Sequence, residues 1–250
     1  YLYRLTNDVA KQWAKSVDQY RKELQRDVTT DDVDRAVESG DPATVIDRMA
    51  WNSADDIFRA ASTPIMVAAL EKAADAEIRR LRLAMRFDLD NPFVFQWIDN
   101  HSAELVTRVS PETKKAIQNV IREAFINGDP PRKSARVIRG MIGLTERDSK
   151  AVLNYWRTVA ADGTRAARTA ESMADTYAKK LLRRRAENVA RTETITAANS
   201  GVQFSWDQAA QSNLLLPASM QEWIASAESP STCEICLDLD GQKVPLGQPF

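Results

Sequence analysis

Histidine is almost missing from this 250-residue chain. His101 is the single copy, so a Ser-His-Asp or Cys-His mechanism would have to run through that one side chain. It lies between Asn100 and Ser102 on an expected helix surface, where a solvated or capping role is the simpler reading. Cysteine is nearly as scarce. Cys233 and Cys236 form one C-x-x-C and cannot build a disulfide framework, which suits a reducing cytosol or a particle assembled there. No apolar run approaches the roughly 18 residues of a membrane-spanning helix. The phosphate loop G-x-x-x-x-G-K-[ST], the dinucleotide motif G-x-G-x-x-G, the zinc-protease motif H-E-x-x-H and the nucleophile elbow G-x-S-x-G are all missing. The chain begins with Tyr1 rather than methionine, from which an earlier natural start is expected.

What is present is helix. With 44% hydrophobic residues a sizeable buried core is expected. Leu5, Val9, Trp13, Val17, Tyr20 and Leu24 recur at spacings of three and four, predicting an amphipathic helix of about six turns. Gly40-Asp41-Pro42 punctuates, and Val45, Ile46, Met49, Ala50 and Phe58 form a second apolar face. Ser62-Thr63-Pro64 reads as the start of a third helix running toward Phe87, and Ser110-Pro111-Glu112 as another start, with serine capping and proline in the first turn. That helix should end at Asn127-Gly128. Short helices are expected from Pro131 to Gly140 and from Thr145 to Ala161. Nearly fifty further helical residues begin at Thr164, with a break near Asn188 or Asn199-Ser200-Gly201. After Leu214, proline and glycine become frequent and turns with one or two short strands are expected. The fold class is thus mainly α, with bundle-like helical domains and a small C-terminal turn or β-hairpin module. Linear segmentation gives residues 1–100, 101–212 and 213–250.

The net charge of −1 conceals an uneven spread. Residues 1–100 hold 14 basic and 18 acidic groups, 101–200 hold 19 and 11, and 201–250 hold 1 and 6. Only the middle is biased toward polyanions. Within it, Lys179, Lys180, Arg183, Arg184 and Arg185 place five cations in seven residues, a candidate contact for DNA or another anionic partner. No aromatic is interleaved to stack bases, and a solvated face pairing with Glu171, Asp175 or Glu187 is the alternative.

The C-x-x-C pair leaves three readings open: a zinc half-site, plain reduced thiols in a tight turn, or a disulfide. A redox dithiol needs a helix behind it, which the sequence does not announce, and Glu234, Asp238 and Asp240 are expected to raise the thiol pKa.

Three blocks resemble a known family. The first is Ser110-Pro-Glu-Thr through Asn127-Gly128, with Ser134-Ala-Arg136-Val-Ile-Arg139 and Ile142-Gly143-Leu144-Thr145. The second is Arg185-Ala-Glu-Asn-Val-Ala-Arg191-Thr192-Glu193-Thr194, with Asn199 and Gly201 behind it. The third runs from Trp223 through Thr232-Cys233-Glu-Ile-Cys236-Leu-Asp-Leu-Asp-Gly241 to Phe250. In this order they resemble the phage head morphogenesis or minor head proteins of the Mu F-like type, related to the minor head protein of phage SPP. They cover roughly the last 150 residues, leaving the role of residues 1–100 unassigned.

The resemblance implies a structural protein and no enzyme. It would be present in several copies inside the capsid near the portal vertex, after assembly in the host cytoplasm. Implied partners are the portal protein, the major capsid or scaffolding protein, and packaged double-stranded DNA, with no membrane requirement. It also implies a downstream P-P-x-H-x-x-C-R-C segment that would complete a zinc site with Cys233 and Cys236; Phe250 precedes any such segment. Within the second block, Arg191 and Glu193 are expected to lock the long helix to the C-terminal module, an ordinary surface pair being the alternative. Two rival classes are a free-standing nucleic-acid-binding zinc-knuckle adaptor and a carrier for an effector domain fused beyond Phe250.

Overall fold

A computed structural model describes residues 2–162, 167–216, 218–225 and 232–248. The helices are α1 (Leu2–Leu24), α2 (Thr30–Ser39), α3 (Ala43–Ile46), α4 (Trp51–Leu81), α5 (Pro92–Ile126), α6 (Pro131–Met141), α7 (Glu146–Ala161), α8 (Ala167–Gln211) and α9 (Glu234–Leu239). Two strands, β1 (Met220–Glu222) and β2 (Lys243–Pro245), pair antiparallel with Gln221 opposite Val244. The chain is mainly α with one small hairpin, the expected class.

It divides into two compact units that interleave in sequence. One comprises Tyr1–Met66 with Gln96–Ile195, the other Val67–Phe95 with Thr196–Phe250. This differs from cuts at 100 and 212, because long helices contribute to both units and local composition does not mark where their packing partners change.

Helix ends follow local chemistry. Thr29 caps α2 in a capping box, its hydroxyl accepting from the Asp32 N–H while the Asp32 carboxylate accepts from the Thr29 N–H. Thr145 caps α7 through the Asp148 N–H. Gly128 (φ 65°) closes α5 in a Schellman arrangement: its N–H reaches Phe125 O, and the Asp129 N–H reaches Ala124 O. Arg82 (φ 53°) and Asn213 (φ 55°) end α4 and α8 with the same pair of bonds.

Three expected boundaries are not boundaries. Pro64 lies inside the 31-residue α4 and Pro111 inside the 35-residue α5. Each proline forfeits one i→i−4 hydrogen bond, a loss that packing on both sides of it outweighs. Ser110 therefore caps nothing. Its hydroxyl donates to Asp55 Oδ1 at 2.5 Å and stands 2.8 Å from the Tyr20 hydroxyl, a relay joining α4, α5 and α1. Burial pushes the Tyr20 phenol up to about 12 and raises Asp55 as well. The third expected boundary is also missing, since α8 runs unbroken for 45 residues through Asn188 and Gly201.

The core of the first unit includes Trp13, Tyr20, Leu24, Phe58, Ile121, Ile138, Ile142, Leu144 and Leu153, all essentially inaccessible. The expected α1 stripe supplies Val9, Trp13, Tyr20 and Leu24, while Val17 is half-buried. In the second unit, small residues dominate. Ala69, Ala73 and Ala74 of α4 and Ala197, Ala198, Ser205 and Ala209 of α8 are buried around the point where Gly201 meets the Leu70 backbone. The Glu77 carboxylate accepts from Arg80 at 2.6 and 2.7 Å and from the Trp206 indole N–H at 2.8 Å. The Gln208 amide grips Asp88, accepting from its N–H and donating to its carbonyl, both at 2.9 Å.

Candidate functional site

The segment Arg185–Thr194 sits wholly within α8. At 3.6 residues per turn its inward side carries Arg185, Ala186, Ala190, Glu193 and Thr194, while Glu187, Asn188, Arg191 and Thr192 face solvent. Arg185 is 8% exposed. Its guanidinium donates to the Gly143 carbonyl at 2.5 Å and to Glu112 Oε2 at 2.8 Å. Burial lowers its pKa, opposed by the Glu112 charge, and the guanidinium stays protonated. Gly143 (φ 96°) supplies that carbonyl from the connection between α6 and α7, with the Arg21 side chain and Leu182 lying over its α-carbon.

Two turns along α8, Glu193 is 3% exposed and its Oε2 lies 2.7 Å from His101 Nε2. The His101 ring stacks on Trp97, centroids 4.7 Å apart and planes within 8°. His101 is therefore a half-buried clasp between α5 and α8 rather than a solvated surface group. Arg191 is exposed, whereas Glu193 is buried and engages α5. Arg185 and Arg191 lie in one apolar-periodic helix, and only the facing surface makes the first buried and the second exposed. Ser110-Pro-Glu112 did carry a signal, through the carboxylate at 112 that meets Arg185.

Between α5 and α8, Leu105, Val109, Glu112, Arg185, Val189 and Glu193 contribute to a shallow cleft of about 320 Å³. Its charged floor is internally engaged, Arg185 with Glu112 and Glu193 with His101. Chemically this is a pair of interhelical locks, one an arginine–carboxylate ion pair and the other a histidine–carboxylate hydrogen bond.

Lys179, Lys180, Arg183 and Arg184 are all exposed and fall within an arc of roughly 140° at about 100° per residue. Lys179 pairs with Asp175 at 2.6 Å and Arg184 approaches Asp148 at 3.6 Å. Arg185 points to the other side of the helix. The five-cation cluster is thus a four-cation face, and Arg185 is withdrawn from it as a contact for DNA or another anion.

In the C-terminal module the Trp223 N–H donates to the Gln242 carbonyl at 3.0 Å, and the Gly241 N–H to the Trp223 carbonyl at 2.9 Å, extending the β1–β2 ladder. Gly241 (φ 76°) makes the turn between α9 and β2. The short helix α9 was not expected, and it stands directly behind the cysteines. Cys233 is its N-cap, with its sulfur accepting from the Cys236 N–H at 3.4 Å. The two sulfurs lie 3.1 Å apart as free thiols. The Cys236 side chain and N–H hold the Cys233 pKa below its ordinary value, while sharing that bond raises Cys236. The expected upward push from neighbouring carboxylates is reversed at Cys233 because these hydrogen bonds act at contact distance. Among the described residues no group of three or more His, Cys, Asp or Glu could hold a metal ion. Two sulfurs 3.1 Å apart are also closer than the roughly 3.8 Å edge of a zinc–thiolate tetrahedron built on ~2.3 Å bonds. The described residues therefore fit a hydrogen-bonded dithiol and do not make a zinc site by themselves.

No family model, curated protein or solved structure matches this chain. Among the described residues no helix is long and apolar enough to cross a membrane.

Proposed function

We propose that this chain is a structural protein of a phage particle: a minor head protein held in several copies at or near the portal inside the capsid, acting in head assembly and in DNA packaging or delivery. Three sequence blocks in their order support the reading. The observation that carries it is the use made of the second block. Arg185 and Glu193 are spent on joining α8 to α5, an architectural role for the most distinctive residues of the chain. Its partners would be the portal and the major capsid or scaffolding protein, with packaged DNA opposite the four exposed cations. The direct test is fractionation of particles. The protein should co-purify with virions and procapsids and be captured by immobilised portal protein; its absence from purified particles would defeat the proposal.

The exposed Lys179, Lys180, Arg183 and Arg184 face favours one second reading, a free-standing nucleic-acid-binding adaptor. If all four cations contact phosphates, log affinity should fall against log salt with a slope of about −3.6. Charge-neutralising all four should flatten that slope, while a flat response in the unaltered protein would remove this reading. Metal analysis of the purified protein tests the zinc that either reading could include.

A further inference from the structure

The basic face of α8 borders a groove that the locks described above do not use. Ala14 and Val17 of α1 and Leu182 and Ala186 of α8 give it apolar walls, and its volume is about 250 Å³. Arg21, Lys179 and Arg183 rim it, with Asp18 already paired to Arg21 at 3.1 Å and to Lys22 at 2.8 Å. Such a socket suits an aliphatic side chain flanked by carboxylates.

Helix α9 presents that chemistry. Ile235 is 71% exposed, and Glu234 and Asp238 are exposed beside it. At about 100° per residue, Glu234 and Asp238 fall on one side of Ile235. An isoleucine so exposed leaves most of its apolar surface in water, surface that a partner would remove from it. The same opposition holds along the chain, 19 basic against 11 acidic groups over residues 101–200 and 1 against 6 over residues 201–250.

We infer that the chain associates head to tail with further copies of itself, α9 of one copy seating Ile235 in the α1–α8 groove of the next with Glu234 and Asp238 against Lys179 and Arg183. Socket and plug are different surfaces of one chain, so the contact is heterologous and repeats into a ring or an open filament. One such contact is small and weak. Closure of a ring makes the last contact intramolecular and strengthens the whole. The inference goes beyond the virion reading and stands without it, since self-association can be measured with no particle or portal present.

The test is sedimentation velocity on nuclease-treated full-length protein across a wide concentration range at low and high salt. The weight-average mass should rise with concentration, and less so in high salt. K179E/R183E and E234K/D238K should each be monomeric, because each sets like charges against like. An equimolar mixture should associate again, contacts now alternating between an unaltered plug in an unaltered socket and a reversed plug in a reversed socket, each complementary in charge. I235S should weaken association by about tenfold or more, the loss of one buried aliphatic side chain. Recovery on mixing shows that both charge variants are folded. A wild-type monomer at all concentrations, association unchanged in either charge variant, or a mixture that stays monomeric would each overturn the inference.

Discussion

Gly201→Ala is the sharpest perturbation the fold offers. A β-carbon at Gly201 would stand 2.1 Å from the Leu70 carbonyl oxygen and 2.8 and 3.0 Å from the Leu70 C and Cα. Ordinary contact begins near 3.4 Å, so α4 and α8 would have to part by about 1.3 Å at that point. The obstacle is backbone, which cannot swing aside as a side-chain end can. Parting would also open gaps among Ala73, Ala74, Ala197, Ala198 and Ser205, whose small side chains cannot refill them. Overpacking of this kind costs up to roughly 3 kcal/mol. Alanine returns about 1 kcal/mol through its better helix propensity. The net loss is about 2 kcal/mol, a fall in Tm of roughly 4–8 °C for a chain of this size. Calorimetry should be run beside Gly140→Ala, where the new β-carbon would meet only Asp175 Oδ1 at 3.4 Å and stability should rise by about 0.5–1 kcal/mol. If the two variants are equally stable, the close approach of Gly201 to Leu70 is refuted.

Further expectations concern single side chains. Arg185→Ala should destabilise by about 3 kcal/mol by stranding the Gly143 carbonyl and removing the counterion of Glu112, whereas exposed Arg191→Ala should stay within about 0.5 kcal/mol of wild type. Chemical denaturation that ranks them equally would contradict the assignment of the lock. Arg80, against the opposing effect of burial and with help from Trp206, holds the Glu77 carboxyl below its ordinary 4.5. A depressed carboxyl contributes stability that is present above the unfolded pKa and lost as pH falls through the folded one. Glu77→Gln should therefore cost about 1–2 kcal/mol at neutral pH. Its deficit should shrink as pH drops below 4.5, and a deficit constant down to pH ~3 would argue against the ion pair. Arg82→Gly should raise Tm, since a left-handed C′ position suits glycine by roughly 0.5–1 kcal/mol; a lowered Tm would count against the Schellman end of α4.

Much of the helical layout was legible because helix ends are local chemistry. Thr145 caps a residue three positions on, Gly128 adopts its left-handed turn beside the helix it closes, and the apolar stripe of α1 is a property of one segment. Local form misleads where a residue's meaning is overridden from afar. Ser110 before Pro111 has the form of a cap but bonds to Asp55 and faces Tyr20, residues 55 and 90 positions away. Gly201 after Asn199-Ser200 has the form of a break, yet it is small because the Leu70 backbone occupies the space of its missing side chain. His101 gave no sign of Glu193, 92 residues distant.

For the candidate site, the sequence by itself determined which residues carry charge and sulfur and that Lys179 to Arg185 lie on one helix. Charge and helical period are properties of a short stretch. Tertiary structure alone decided that Arg185 turns inward to Gly143 and Glu112 while its four neighbours face solvent, and that Glu193 rather than Arg191 is buried. Which face of a helix is covered depends on what packs against it, and for α8 those partners come from segments far away along the chain.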